Sequence, residues 1–127
     1  MNKQSGKLMY WGATILVAFI FVASGLMKIF GGEATAEMAK GLGGENNLII
    51  LGVLELVIAL VWILPRTGVA GTLLAVAYIG GALAVHFVTG QPVFVPVAIQ
   101  VVIWLAAAIR FPEFTQRLFK RELTQSA

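Results

Sequence analysis

Four apolar runs separated by short polar stretches constrain this chain more than any other feature of it. A helix needs about 20 apolar residues to cross a hydrocarbon core about 30 Å thick, and each run approaches that length. The 59% hydrophobic content and mean hydropathy of +0.91 also exceed what a soluble domain carries. The sequence therefore predicts an all-α integral membrane protein, a four-transmembrane-helix antiparallel bundle forming one domain over residues 1–127. The predicted helices cover residues 8–30, 48–64, 69–88 and 93–111.

The segments between and after these runs predict how the helices are connected. Two of them, "PRTG" (65–68) and "TGQP" (89–92), are short enough to make their neighbouring helices antiparallel. The only sizeable loop, 31–47, contains helix formers over Glu33–Lys40 followed by glycine, which predicts a short surface helix. The tail 112–127 mixes aromatic and basic residues and predicts an amphipathic helix at the membrane interface.

The distribution of lysine and arginine predicts the orientation. Seven of the nine basic residues lie on the side of the two termini, and the positive-inside rule places that side in the cytoplasm. We therefore expect a multi-pass protein of the plasma (inner) membrane, with membrane lipids as partners and no nucleic acid partner. The seven are Lys3, Lys7, Arg66, Arg110, Arg117, Lys120 and Arg121, whereas Lys28 and Lys40 lie on the other side.

Each predicted helix contributes one polar side chain in the outer half of the membrane: Lys28, Glu55, His86 and Gln100. At 1.5 Å per residue, Glu55 lies about 10 Å and Gln100 about 9 Å below the outer surface. Lys28 and His86 lie within about one turn of the outer ends of their helices. No comparable polar group is expected in the inner half.

Helical phase allows these four side chains to converge. Glu55 shares a face with Gly52 and Trp62, and small residues at Ala77/Gly81 and Gly80/Ala84 would let the third helix approach its neighbours closely. We therefore predict a ligand-binding cluster of Lys28, Glu55, His86 and Gln100, with Ser24, Tyr78, Trp62 and Trp104 around it.

Most members of this cluster also have a simpler interpretation. Lys28 alone would be expected to extend toward the outer headgroups, and His86 to be solvated near the interface. Gln100 alone is more typical of an interhelical hydrogen bond. Trp62 and Trp104 lie toward the inner ends of their helices, where an aromatic belt is the favoured interpretation.

Glu55 is different, because a carboxylate costs roughly 2.5–3.5 kcal/mol in the middle of a membrane helix. It must be paired, protonated or facing a wet cavity, and we expect Lys28 or His86 within hydrogen-bonding reach. A purely structural Lys28–Glu55 ion pair is the strongest alternative to a binding site. With no cysteine and one histidine, the chain offers no convincing metal site, and no cofactor is expected.

Three segments resemble the DoxX-like family of small four-helix membrane proteins: "FVASGLMKIFG", "GVLELVIALVWILPRTGVAG" and "YIGGALAVHFVTGQP". The resemblance covers about residues 10–110 and includes Gly25–Lys28, Glu55, the Pro–Arg turn and Gly80–Gly81 with His86. The family is named after a subunit associated with thiosulfate:quinone oxidoreductase, and most members have no established activity. The resemblance implies the four-helix fold and no nucleotide, haem or metal motif.

Three functional hypotheses remain. The first is a binding or redox-accessory protein whose outward-facing pocket holds a quinone-like or other amphipathic small molecule, rather than a stand-alone enzyme. The second is a structural or interaction protein, whose candidate partners are a second copy of itself or a redox partner protein. The third is a small dimeric transporter, which should have polar or broken sites near the membrane midplane. The apolar inner half counts against the third hypothesis.

The predicted orientation is directly testable. Both termini should lie in the cytoplasm, because seven of the nine basic residues are then on the inner side. A reporter that is active only outside the cytoplasm should stay silent when fused after Ala127 and become active when inserted in the loop 31–47. Activity of the fusion after Ala127 would contradict the predicted orientation.

Overall fold

The computed structural model describes residues 3–119, which are helical apart from short connections and contain no strand. A single 3-10 turn over Gly32–Thr35 precedes the second helix. The helices are α1 (Lys3–Phe30), α2 (Ala36–Gly41), α3 (Glu45–Ile63), α4 (Gly68–Val88), α5 (Phe94–Arg110) and α6 (Pro112–Phe119).

The four long helices form a four-sided bundle. α1 and α4 each pack against both α3 and α5, so α1 lies diagonally across from α4. The short helix α2 packs against α3 at one end of the bundle, which we call the α2 end. At the opposite end, the α6 end, α6 follows α5 after a bend of 106°. The short connections 64–67 and 89–93 join α3 to α4 and α4 to α5, which pack against each other as the loop lengths predicted.

Apolar length explains why these segments can cross a membrane. Three helices, α1, α3 and α4, are long and apolar enough to span one, and α5 with α6 would be a fourth if they are counted as one bent span. α5 alone has 17 residues, at the low end of the usual range of about 17–25. The all-helical fold is therefore confirmed, and four complete spans remain a prediction.

The predicted boundaries were close, with informative differences at the ends. α1 begins at Lys3 rather than residue 8, and α3 at Glu45 rather than residue 48, because polar residues extend both apolar runs. The predicted surface helix is present as the 3-10 turn followed by α2. The predicted tail helix is present over Pro112–Phe119, and residues 120–127 of that tail lie outside the described residues.

The core fills the half of the bundle nearer the α6 end. Its side chains come from all four long helices and have almost no exposed surface. Toward the α2 end the same helices leave a cavity. The fully buried core residues with the largest apolar side chains in this half are Val17, Phe21, Ile58, Trp62 and Ile103.

One close helix contact joins α1 and α3 through two glycines. A Cβ atom at Gly52 would lie 2.8 Å from the backbone oxygen of Gly25 and 3.1 Å from the Cβ of Lys28. A Cβ at Gly25 would likewise lie 2.8 Å from the Gly52 oxygen. This contact brings α1 close enough to α3 for Lys28 to reach Glu55, which is one turn beyond Gly52.

The four small residues of α4 that the sequence analysis singled out do not make the close helix contact that it predicted. Ala77, Gly80, Gly81 and Ala84 are all exposed, and a Cβ at either glycine would meet no atom within 4 Å. Small residues do recur at this spacing on α4, but the face that carries them is exposed. Spacing alone does not say which face of a helix is buried. Within the described residues, α1 and α3 approach each other through glycines instead.

The glycine contact can be tested by adding one methyl group. We expect Gly52→Ala to destabilise the bundle by about 1–3 kcal/mol, because the added carbon would overpack the α1–α3 interface. The matched control is Gly80→Ala, where the methyl group meets open space and alanine is the better helix former by about 1 kcal/mol. Thermal unfolding in mild detergent should show a lower Tm for Gly52→Ala only. Equal Tm values for the two variants would contradict the assigned interface.

Candidate functional site

An ion pair between α1 and α3 lies at the centre of the site. The Lys28 Nζ donates to Glu55 Oε1 at 2.9 Å and to Ser24 Oγ at 2.7 Å. Ser24 Oγ in turn donates to the same Glu55 oxygen at 3.2 Å. Lys28 and Ser24 are one helical turn apart, so both side chains face Glu55 from α1. The predicted contact between Glu55 and Lys28 is therefore present.

The second carboxylate oxygen of Glu55 is left without a protein partner. Glu55 is only 3% exposed, and no side chain or backbone donor in the described residues forms a hydrogen bond with Oε2. The Tyr78 hydroxyl on α4 lies beside the carboxylate, near enough to interact with it electrostatically and as a hydrogen-bond donor, although its geometry to Oε2 is not that of a fully formed hydrogen bond. The ring of Tyr78 is held by Phe21, with ring centroids 6.0 Å apart. Glu55 thus has one oxygen in the ion pair and a second oxygen that is buried, with the Tyr78 hydroxyl near the carboxylate.

His86 lies near the end of α4 and has a defined ring orientation. Its Nδ1 is 2.8 Å from the backbone oxygen of Ala82, one turn back along the helix. A carbonyl oxygen only accepts hydrogen bonds, so Nδ1 carries the proton. In the neutral ring, Nε2 is consequently a free acceptor.

A cavity of about 520 Å³ connects these groups at the α2 end. Its floor includes buried Glu55 and Ile79, whereas exposed residues such as Met27 and Val95 form its rim. Met38 and Leu42, from α2 and the turn after it, also line the cavity, which the sequence did not indicate. Five predicted site residues line it: Ser24, Lys28, Glu55, Tyr78 and His86.

Gln100 is the predicted site residue that does not join this group. Its Nε2 is 3.4 Å from the backbone oxygen of Val76, and its Oε1 is buried without a partner. The cavity is instead lined by Pro96 and Ile99 of the same helix. A shift of one residue turns a helical side chain by about 100°, which is enough to move Gln100 from the cavity to the α4–α5 contact.

The two tryptophans expected around the cluster lie elsewhere. Trp62 is fully buried, and its indole nitrogen donates to the Thr14 backbone oxygen at 2.9 Å. The aromatic-belt interpretation of Trp62 was therefore wrong, and its shared face with Glu55 was the better guide. Trp104 is 40% exposed and contacts Phe114 near the α6 end, away from the cavity. Depth alone suggested a belt position, but helical phase decides which side chains point inward.

A second buried charge, Arg110, was missed by the sequence analysis, which counted it among surface cations. Its Nη1 donates to the Trp62 backbone oxygen at 2.6 Å, and Nη2 is 3.4 Å from both the Ile63 oxygen and the Tyr10 hydroxyl. The guanidinium also lies 4.4 Å from the Trp62 ring centroid and 4.8 Å from that of Phe111. Three helices therefore meet at this one side chain.

The environment of Arg110 explains how the bundle tolerates a buried cation. Trp62 and Ile63 end α3, and the last carbonyl groups of a helix carry partial negative charge and lack helical partners. The aromatic faces supply further favourable contacts. The only sequence signal for this site was that Arg110 follows Ile103 and Ala107 on one helix face. The sequence analysis did not predict this buried cluster at the α6 end.

A double-mutant cycle can measure the coupling free energy between Lys28 and Glu55 apart from the other contacts of the two side chains. Removing one partner should strand the other buried charge, so Lys28→Met or Glu55→Gln alone should destabilise the bundle by up to about 3–5 kcal/mol. The double variant should be less destabilised than the sum of the two single variants. Thermal unfolding of all four proteins in the same detergent measures this coupling. Additive effects would mean that the two side chains do not interact.

Comparison with known proteins gives one match. No curated protein and no solved structure matched the chain. The model of the DoxX-like family matches residues 12–109, which is more than half of the chain and includes Ser24, Lys28, Glu55, Tyr78 and His86. Together with helices apolar and long enough to span a membrane, this match shows that the chain is a transmembrane protein belonging to the DoxX-like family.

Proposed function

We propose that this protein binds an amphipathic, quinone-like small molecule in the cavity at the α2 end. The observation that carries the proposal is the cavity itself, with about 520 Å³ of space beside a buried carboxylate. Small-molecule sites are typically about 300–1,000 Å³ in volume, mostly apolar, with a few polar groups that orient the ligand. This cavity has both properties.

The lining separates into an apolar part and a polar part. Apolar side chains come from α1, α3, α4, α5 and the region of α2, and would surround a ring or an alkyl chain. The polar part consists of Lys28, Glu55, Tyr78 and Ser24, with His86 nearer the end of α4. A molecule with a polar head and an apolar body would place its head beside Glu55 and its body among the methionine and aliphatic side chains.

Lys28 supplies the positive charge of the site. Its ammonium group has three donors, of which two are directed to Glu55 and Ser24. The third donor is available to an oxygen atom of a ligand. Since the Lys28 side chain is only 12% exposed, such a hydrogen bond would be largely protected from water.

The packing at the other end of the bundle favours binding over transport. Trp62, Phe111 and Arg110 fill the space between the helices there, and all three are buried. A transporter needs access to its site from both sides of the membrane. In the proposed orientation, with both termini in the cytoplasm, the cavity faces outward and the filled end faces inward. A binding or redox-accessory role fits this arrangement.

The rival function is a purely structural one. The observation that favours it is the direct 2.9 Å contact between Lys28 and Glu55, which could serve only to join α1 to α3. A structural ion pair explains the contact between Lys28 and Glu55 but gives no reason for the cavity beside it. The binding function accounts for both observations.

The proposal can be tested by identifying what the purified protein carries. We expect protein purified in mild detergent to retain a small organic molecule other than phospholipid, at up to one per chain. The Lys28→Met/Glu55→Gln double variant should lose this molecule while remaining folded, because the polar head would have no partner. Mass spectrometry of organic extracts measures both amounts. Only bulk phospholipid in the wild-type extract would favour the structural function.

A matched control keeps this test specific to the cavity. Gln100→Leu removes a polar side chain from the same bundle, but Gln100 contacts Val76 and does not line the cavity. We expect this variant to retain the molecule at the wild-type level. Equal loss from Gln100→Leu would place the molecule outside the cavity and contradict the proposed site.

A further inference from the structure

The cavity reaches the surface of the bundle at two different depths. At the α2 end its exposed rim includes Met27 and Val95, in the last turn of α1 and the first turn of α5. Farther down, Ala77 and Gly81 of α4 also line the cavity and are exposed. At 1.5 Å per residue, Gly81 and Ala77 lie roughly 10 and 16 Å from the end of α4 at Val88. Since half of a hydrocarbon core is about 15 Å thick, this second opening lies at the depth of the lipid chains.

The second opening exists because α3 and α4 separate toward the α2 end. Near the α6 end the two helices touch, since a Cβ atom at Gly71 would lie 2.5 Å from the Cα atom of Trp62. Farther along α4, a Cβ atom at Gly81 would meet no atom of the described residues within 4 Å. The space left between the two helices belongs to the cavity, which Leu51 lines from α3 and Gly81 from α4.

The short helix α2 does not close this opening. Gly41, the last residue of α2, and Val85 of α4 line the cavity and also a second, more open hollow between α2 and α4. Ala84 and Val88 continue the face of α4 that carries Ala77, and both are exposed. This face of α4 is therefore open from the depth of the lipid chains up to the α2 end.

We infer that the ligand of this cavity is a lipid with a long hydrocarbon tail, and that the tail leaves the bundle between α3 and α4 into the surrounding lipid chains. The head lies in the cavity, and the small side chains of Ala77 and Gly81 leave the width that the tail needs. This inference rests on the proposed binding function and adds the ligand class, the route of the tail and two residues that determine specificity.

The depth of the polar groups favours this route over the rim at the α2 end. Glu55 lies on the floor of the cavity, so a polar head beside it lies below the rim. A tail directed from there to the rim would run toward headgroups and water, which is unfavourable in proportion to the apolar area exposed. A tail directed between α3 and α4 stays among apolar side chains and lipid chains. The same opening lets the ligand enter from the bilayer without crossing water.

The route can be tested with three quinones that share one ring: decylubiquinone, an analogue with a methyl group in place of the decyl chain, and one with a tail of four isoprene units. We expect the wild-type protein to bind the two tailed quinones about tenfold or more tightly than the methyl analogue. Their own affinities should agree within about threefold, because the cavity volume does not limit a tail that lies outside it. Equilibrium dialysis in mild detergent, corrected with protein-free micelles, measures all three affinities.

Two results with the wild-type protein would contradict the route. A clear loss of affinity from the decyl chain to the longer isoprene tail would mean that the tail is held inside the cavity. Equal affinity for the methyl analogue and decylubiquinone would mean that the tail makes no favourable contact with the protein. Either result overturns the inference.

A matched pair of variants assigns the tail to the opening between α3 and α4. Gly81→Leu places a side chain in this opening and should weaken binding of decylubiquinone about tenfold, with the methyl analogue changed by less than about threefold. Gly80→Leu is the control, because Gly80 is exposed on the same helix but does not line the cavity. At both positions a Cβ atom would meet no atom of the described residues within 4 Å, so both variants should fold. Ala77→Leu narrows the same opening and should reproduce the effect of Gly81→Leu.

The outcomes separate this inference from the proposed function. If the quinones bind but Gly81→Leu and Ala77→Leu keep full affinity for decylubiquinone, the cavity still binds a quinone-like molecule and only the route fails. An equal loss of affinity in Gly80→Leu would likewise overturn the route. If the wild-type protein binds none of the three quinones, the binding function fails, and the inference fails with it.

Discussion

The burial of one carboxylate in an apolar helix imposes more on this fold than any other interaction. An ionised Glu55 in α3 is stabilised by a positive charge beside it, and Lys28 supplies that charge from α1. That reach depends on the approach of the two backbones at Gly25 and Gly52, where no side-chain carbon would fit. The ion pair therefore depends on the glycine packing.

The two ends of the bundle accommodate buried charge in different ways. At the α6 end, Arg110 meets the terminal carbonyl groups of α3 and the faces of aromatic rings, and packed side chains surround it. At the α2 end, Glu55 has a charged partner on one oxygen, and its side chain borders a cavity rather than a filled core. Arg110, surrounded by packed side chains, can serve only to hold the helices together. Glu55 borders a cavity, so its site has space for a ligand.

The sequence was sufficient for the features that depend on length and period. Apolar runs predicted the long helices, and helical phase with depth predicted that Lys28 and Glu55 would meet. It failed where one residue of rotation matters, since Gln100 lies beside the cavity-lining Ile99 but faces α4. It also failed where several weak contacts combine, because the carbonyl and aromatic partners of Arg110 come from α1, α3 and the residue after α5. Neither feature has a local sequence pattern.

The asymmetry of the bundle follows from where the large side chains lie. Trp62 and Phe111 fill the space between the helices at the α6 end, with ring centroids 6.4 Å apart. At the α2 end the corresponding positions of α4 are small, including Ala77 and Gly81, so the diagonal helices leave a gap. Since α2 packs on α3 and the 3-10 turn before it, it borders this gap without filling it. The large side chains thus stabilise the half of the bundle at the α6 end. The small side chains at the α2 end leave a space beside Glu55 in which a ligand could be held.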